Sequence, residues 1–180
     1  MNLFLIPPLL YELLFKDTKY HLTFWTWFFH IISYNFILNN IFKNLLFTAS
    51  YFGSYFILFG YISCLLINPY LEYDLVKKKR NGYTDFNLWF RSFYFHLLPV
   101  LIVEFSKIYF KFDIRGIYLY LCLPFTHLLY SKLNQSNLKS AYKIYIKTES
   151  NKNLKVNELS FIFIQVCILF FTILFTINKM

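Results

Sequence analysis

Polar residues break this chain at wide intervals, and the stretches between them are apolar on every face. Such stretches have neither the period of two of a half-buried strand nor the single stripe of a surface helix. About 20 apolar residues in helical form cross the roughly 30 Å hydrocarbon core of a bilayer. Backbone amides find no water there, so each crossing must be helical. The pattern predicts spans over about 20–38, 44–68, 85–105, 116–131 and 158–177. Residues 3–15 are apolar too, but Lys16-Asp17-Thr18-Lys19 stops them, which predicts an interfacial half-span or a lead into the first span. The segment 138–148 predicts either a basic piece lying on the membrane or a sixth crossing. The expected fold is a single all-α membrane domain over 1–180, a polytopic transmembrane helical bundle of five to six spans.

Composition supports this. Hydrophobic residues make up 58% of the chain and charged residues 15%, against about 25% charged in soluble domains. The net charge of +9 would suggest nucleic acid on a soluble protein. In a membrane protein it reads instead as the basic loops that fix orientation. Lys77-Lys78-Lys79-Arg80 and the lysines of 132–155 lie two spans apart, so both are expected on the cytosolic side. The basic link 107–115 falls opposite them and weakens the asymmetry without reversing it. Five crossings would put Met180 opposite the basic loops, and a sixth would return it. The N-terminus has no basic n-region or cleavage site, so no removed signal peptide is expected. Phe, Tyr, Ile, Asn and Lys dominate, as in a chain under A/T-biased coding, where Phe stands for Trp and Lys for Arg.

Candidate chemistry is sparse. Cys64, Cys122 and Cys167 form no pairing framework, and no HExxH, metal-spaced histidines or Gly-rich phosphate loop is present, so no metal or cofactor is expected. Charges inside spans cost about 2.5–3.5 kcal/mol at mid-membrane. Arg91 is therefore the first functional candidate, either snorkelling to headgroups or lining a polar groove. Asn87 precedes it by four residues on the same helix face, and His96 follows; these three form the candidate groove lining. Glu104 and Lys43 read as interface residues near span ends. Pro99 and Pro124 predict kinks. A rhomboid-type protease needs Gly-x-Ser-Gly, and only Gly53-Ser54-Tyr55 occurs.

The order of landmarks resembles the Derlin family, rhomboid-like pseudoproteases of endoplasmic-reticulum protein disposal. Ile6-Pro7-Pro8 resembles the family's N-terminal Ile-Pro-Pro. Tyr34-Asn35, Phe42-Lys43 and Phe52-Gly53 resemble its first loop, its Trp-Arg pair and the Phe-Gly that follows. Leu71-Glu72, a basic loop and Asp85-Phe86 resemble its second-to-third span connection. Tyr130-Ser131-Lys132-x-Asn134 resembles its aromatic-Ser-Arg-x-Asn-Pro element, and the run from Glu158-Leu159 to Phe171 its final span. The family's Gly-x-x-x-Gly becomes Ser160-x-x-x-Ile164 here, and no C-terminal unfoldase-recruiting motif is seen.

The resemblance implies a rhomboid-like bundle, multi-pass in the endoplasmic reticulum membrane and without catalysis. It also implies misfolded clients, a membrane ubiquitin ligase complex and an indirectly linked cytosolic AAA unfoldase as partners. Two other readings stay open. One is an intramembrane hydrolase with Thr23 as nucleophile and His96 as base. Leu22-Thr23-Phe24 and Leu98-Pro99 resemble patterns of the androgen-induced, lipid-cleaving family, although Tyr94 stands where that family needs its His. The other is an accessory subunit of a larger membrane complex.

Overall fold

A computed structural model describes residues 39–69, 84–122 and 158–180, together with Thr23, Thr26, Trp27, His30 and Ile31. Residues 3–15, Leu71, Glu72, Pro124, His127, Ser131, Lys132, Asn134 and the segment 138–148 lie outside these. Every regular element among the described residues is helical. They are α1 (Asn40–Ile67), α2 (Asp85–Ser106), α3 (residues 115–122) and α4 (Glu158–Lys179). Ahead of them, residues 23, 26, 27, 30 and 31 are helical and fall on one face of a 3.6-residue period.

Local chemistry sets the helix ends. The Asn39 side chain accepts the Phe42 N–H at 2.9 Å, an N-cap for α1. Pro69 follows the C-cap Asn68 and discourages continuation. Thr84 caps α2 by accepting the Asn87 N–H at 3.2 Å, and Asp85 complements the dipole in the first turn. Pro99 stands two residues past a wide turn of α2. Its missing N–H and ring are accommodated by this π-turn, Phe93–Leu97, in which the Leu98 N–H bonds the Phe93 carbonyl five residues back.

α1 is the axis of the bundle. α2 runs antiparallel to it, since Tyr61 stacks on His96 while Tyr51 and Tyr55 reach Glu104. α4 is also antiparallel to α1: Gln165 bonds Ser63, and Tyr55 meets Phe175. The link 107–114 folds back over the start of α1. The Lys111 N–H donates to Asn44 Oδ1 at 3.0 Å, and the Asp113 N–H to Thr48 Oγ1 at 2.8 Å. α3 then runs beside α1 in the same direction, with Gly116 against Leu45–Ala49 and Tyr120 against Gly53. The bundle therefore has two ends. The link end gathers the start of α1, the end of α2, residues 107–114 and the end of α4. The loop end gathers Asn68, Thr84 and the start of α4, the points flanking 70–83 and following 132–157.

Aromatic side chains fill the interior. Trp27 stacks on Tyr94 at 4.7 Å and meets Phe95 edge-on. Phe47, Tyr51 and Val103 pack with Phe110, Phe112 and Phe175, while Ala49, Phe52, Ile117 and Tyr120 pack with Leu169 and Ile173. The outside is equally apolar: Leu66, Phe86, Phe105, Phe163 and Leu174 are all more than two-thirds exposed. Water would penalise so large an apolar surface, and lipid would not. α1 and α2 are each long and apolar enough to cross a membrane, with lengths of about 42 and 33 Å at 1.5 Å per residue.

Candidate functional site

Two turns of α1, from Ala49 to Tyr55, send a contact to each of the other described helical segments. Four small residues, Ala49, Ser50, Gly53 and Ser54, occupy two adjacent i, i+4 rows there. Small rows let helices approach closely, and their hydroxyls bond across the gap. A Cβ on Gly53 would run into the Tyr120 ring, so only glycine admits that ring. Tyr120, fully buried, then places its hydroxyl 2.7 Å from Thr26 Oγ1. Ser54 Oγ lies 2.7 Å from the Ser50 carbonyl and 2.7 Å from His30 Nε2. A carbonyl can only accept, so the Ser54 proton goes to Ser50, and His30 Nε2–H donates to Ser54. In that state Ser54 is not hydrogen-bonded as a nucleophile handing its proton to a base. His30 and Ser54 are 0% and 1% exposed. The pair joins two helices.

A second polar knot lies one face away. Glu104 Oε1 accepts the Tyr51 hydroxyl at 2.7 Å and the Tyr55 hydroxyl at 2.6 Å, while its Oε2 takes Lys107 Nζ at 2.6 Å. Sequence reading made Glu104 an interface residue; its position on α2 brings it to two tyrosines spaced i, i+4 on α1.

The three groove candidates separate. Asn87 is exposed in the first turn of α2. Arg91 is half-buried, its guanidinium 5.3 Å from the centre of the Phe95 ring, which itself packs on Trp27. His96 turns instead towards α1. Its ring stacks on Tyr61 at 3.6 Å, and its Nδ1–H donates to the Ser92 carbonyl at 3.0 Å, which fixes the proton on that nitrogen. Asn87 and Arg91 thus share a helix face, and His96 lies off it. Thr23 makes no hydrogen bond to His96 among the described residues.

Phe42 is exposed beside the Asn39 cap, and the Lys43 N–H bonds the Asn39 carbonyl. Asp85 opens α2, and Phe86 lies exposed against Trp89 and Phe90. No three His, Cys, Asp or Glu side chains converge among the described residues.

In the link, Asp113 and Arg115 form an exposed pair at 2.7 Å, and the guanidinium holds the Asp113 carboxyl below its ordinary range.

No family model matches the chain, and no curated protein or solved structure is detectably similar to it.

Proposed function

We propose that this chain is a Derlin-like, non-catalytic membrane factor that helps move misfolded proteins from the endoplasmic reticulum to the cytosol for degradation. The ordered landmarks support the reading, and one property of α2 carries it. Arg91 and Glu104 lie on the same continuous helix and bracket only residues 92–103 without a charge. Twelve residues rise about 18 Å, well short of a hydrocarbon core of about 30 Å. Both charges have partners, Arg91 in Phe95 and Glu104 in its tyrosines and Lys107. A helix so charged draws headgroups and water inward or thins the bilayer around it, which eases a polar chain through lipid. The rhomboid-like arrangement, the fifth and sixth crossings, the ubiquitin ligase and the indirect unfoldase link belong to the same proposal.

A hydrolase is the second reading, favoured by the 2.7 Å contact of Ser54 with His30. It is the weaker one, because both side chains are sealed and the serine proton is already committed.

The test is the clearance of a misfolded membrane reporter in cells carrying wild-type protein or Arg91→Leu. The expected result is a reporter half-life several-fold longer with Arg91→Leu at equal protein abundance, and unchanged clearance with Ser54→Ala. Clearance indifferent to removal of the whole protein would sink the proposal.

A further inference from the structure

We propose that the link end holds a glycerophospholipid, gripping its phosphate with Lys107 and Lys111. A hollow of about 620 Å³ opens there, lined by Lys107, Phe110, Lys111, Phe112, Ile114 and Met180. Its walls are fixed before any ligand arrives, because Phe110 stacks on Phe47 at 4.8 Å and Phe112 meets Tyr51 edge-on at 5.0 Å. Preorganised walls lower the ordering cost of binding. Two of its six lining residues are cationic and four are apolar, the chemistry of a headgroup joined to acyl chains. The Lys111 ammonium has no acidic partner among the described residues. Lys107 donates one hydrogen bond to Glu104 and retains two donors.

The position fits as well. The hollow lies where α2 ends and α1 begins, the depth at which a helix leaving hydrocarbon meets phosphate groups. Phe105, Ile108 and Tyr109, each about three-quarters exposed, continue the apolar surface from it. Basic hollows between membrane helices bind anionic headgroups, with each lysine contributing about fivefold. Free inorganic phosphate would use the two lysines but has no use for the phenylalanine walls. The proposal rests on α1 and α2 crossing a bilayer and is independent of the retrotranslocation reading.

The experiment is native mass spectrometry of the full chain, released from nanodiscs of mixed phosphatidylglycerol and phosphatidylcholine. Phosphatidylglycerol should be retained over phosphatidylcholine. Lys111→Glu should lower its retention at least about fivefold, and Lys111→Arg should restore it. Lys111 is exposed and touches the fold through its backbone N–H, so the reversal leaves packing intact. A melting temperature within error of wild type would verify that. Retention unchanged in Lys111→Glu would overturn the proposal. So would displacement of the lipid by millimolar inorganic phosphate, which would make this a free-phosphate site.

Discussion

The two halves of α1 are built differently. From Asn44 to Tyr55 the helix is locked from several sides: the link bonds Asn44 and Thr48, Gly116 abuts its backbone, Tyr120 enters over Gly53, and Glu104 ties two tyrosines. From Phe56 to Asn68 the ties to other described helices are of another kind. Gln165 bonds Ser63, His96 stacks on Tyr61, and Ile62 and Leu66 face outward. The tied half is the less apolar in sequence, with seven hydrophobic residues of twelve against ten of thirteen from Phe56 to Asn68. Rigidity here follows from small residues and hydroxyls rather than hydrophobicity, as expected where lipid competes equally for apolar side chains.

Substituting glycines is the strongest way to break this contrast. Gly116→Ala would drive a methyl into the Leu45 carbonyl and the Ala49 amide, backbone atoms that cannot step aside. A loss of about 3 kcal/mol is expected, the upper end for overpacking. Gly60→Ala meets only the flexible end of Gln165 at 3.4 Å and should be neutral or slightly stabilising. Thermal unfolding of both variants in nanodiscs decides the matter, and equal losses would erase the contrast. Next in size is Glu104→Ala, which strands two tyrosine hydroxyls and should cost about 2 kcal/mol. Gln165→Ala, against the second half of α1, should cost only about 0.6 kcal/mol. Ser54→Ala removes the bridge to His30 and should cost about 1 kcal/mol in the same assay.

The smallest effect is acid sensitivity in the link. Asp113 has a depressed folded pKa because Arg115 favours its charged form. Its contribution is therefore complete above the ordinary carboxylate range and disappears as pH falls through the lowered folded value. Asp113→Asn should flatten the acid limb of a melting-temperature profile slightly and leave neutral pH almost unchanged. A variant with an identical acid limb would show that the pair contributes nothing.

Much of the helical frame was legible in the apolar runs. The expected 44–68, 85–105 and 158–177 correspond to Asn40–Ile67, Asp85–Ser106 and Glu158–Lys179. α3 begins one residue before the expected 116 and is described to 122. Hydropathy marks where a helix lies but not which face meets which partner. Ser54 and His30 are 24 residues apart, and no local spacing joins them. Glu104 looked like an end residue because its partners, Tyr51 and Tyr55, stand on another helix. Two signals were available: the i, i+4 tyrosine pair and the doubled small-residue rows at 49/53 and 50/54. Both mark a contact face without naming the partner. Pro99 announced a disturbance of α2 without saying that a wide turn would accompany it.

That wide turn sets how the two ends of α2 face each other. Its extra residue at Phe93–Leu97 resets the screw of everything that follows. Deleting one residue there would remove the bulge and leave the two segments facing as they do, whereas closing the turn with every residue kept would rotate Leu98–Ser106 by about 100° relative to Asp85–Ser92. Glu104 would swing away from Tyr51 and Tyr55 while Arg91 stayed on Phe95. Arg91 and Glu104 therefore hold their mutual facing only while the surplus residue stays looped into the wide turn.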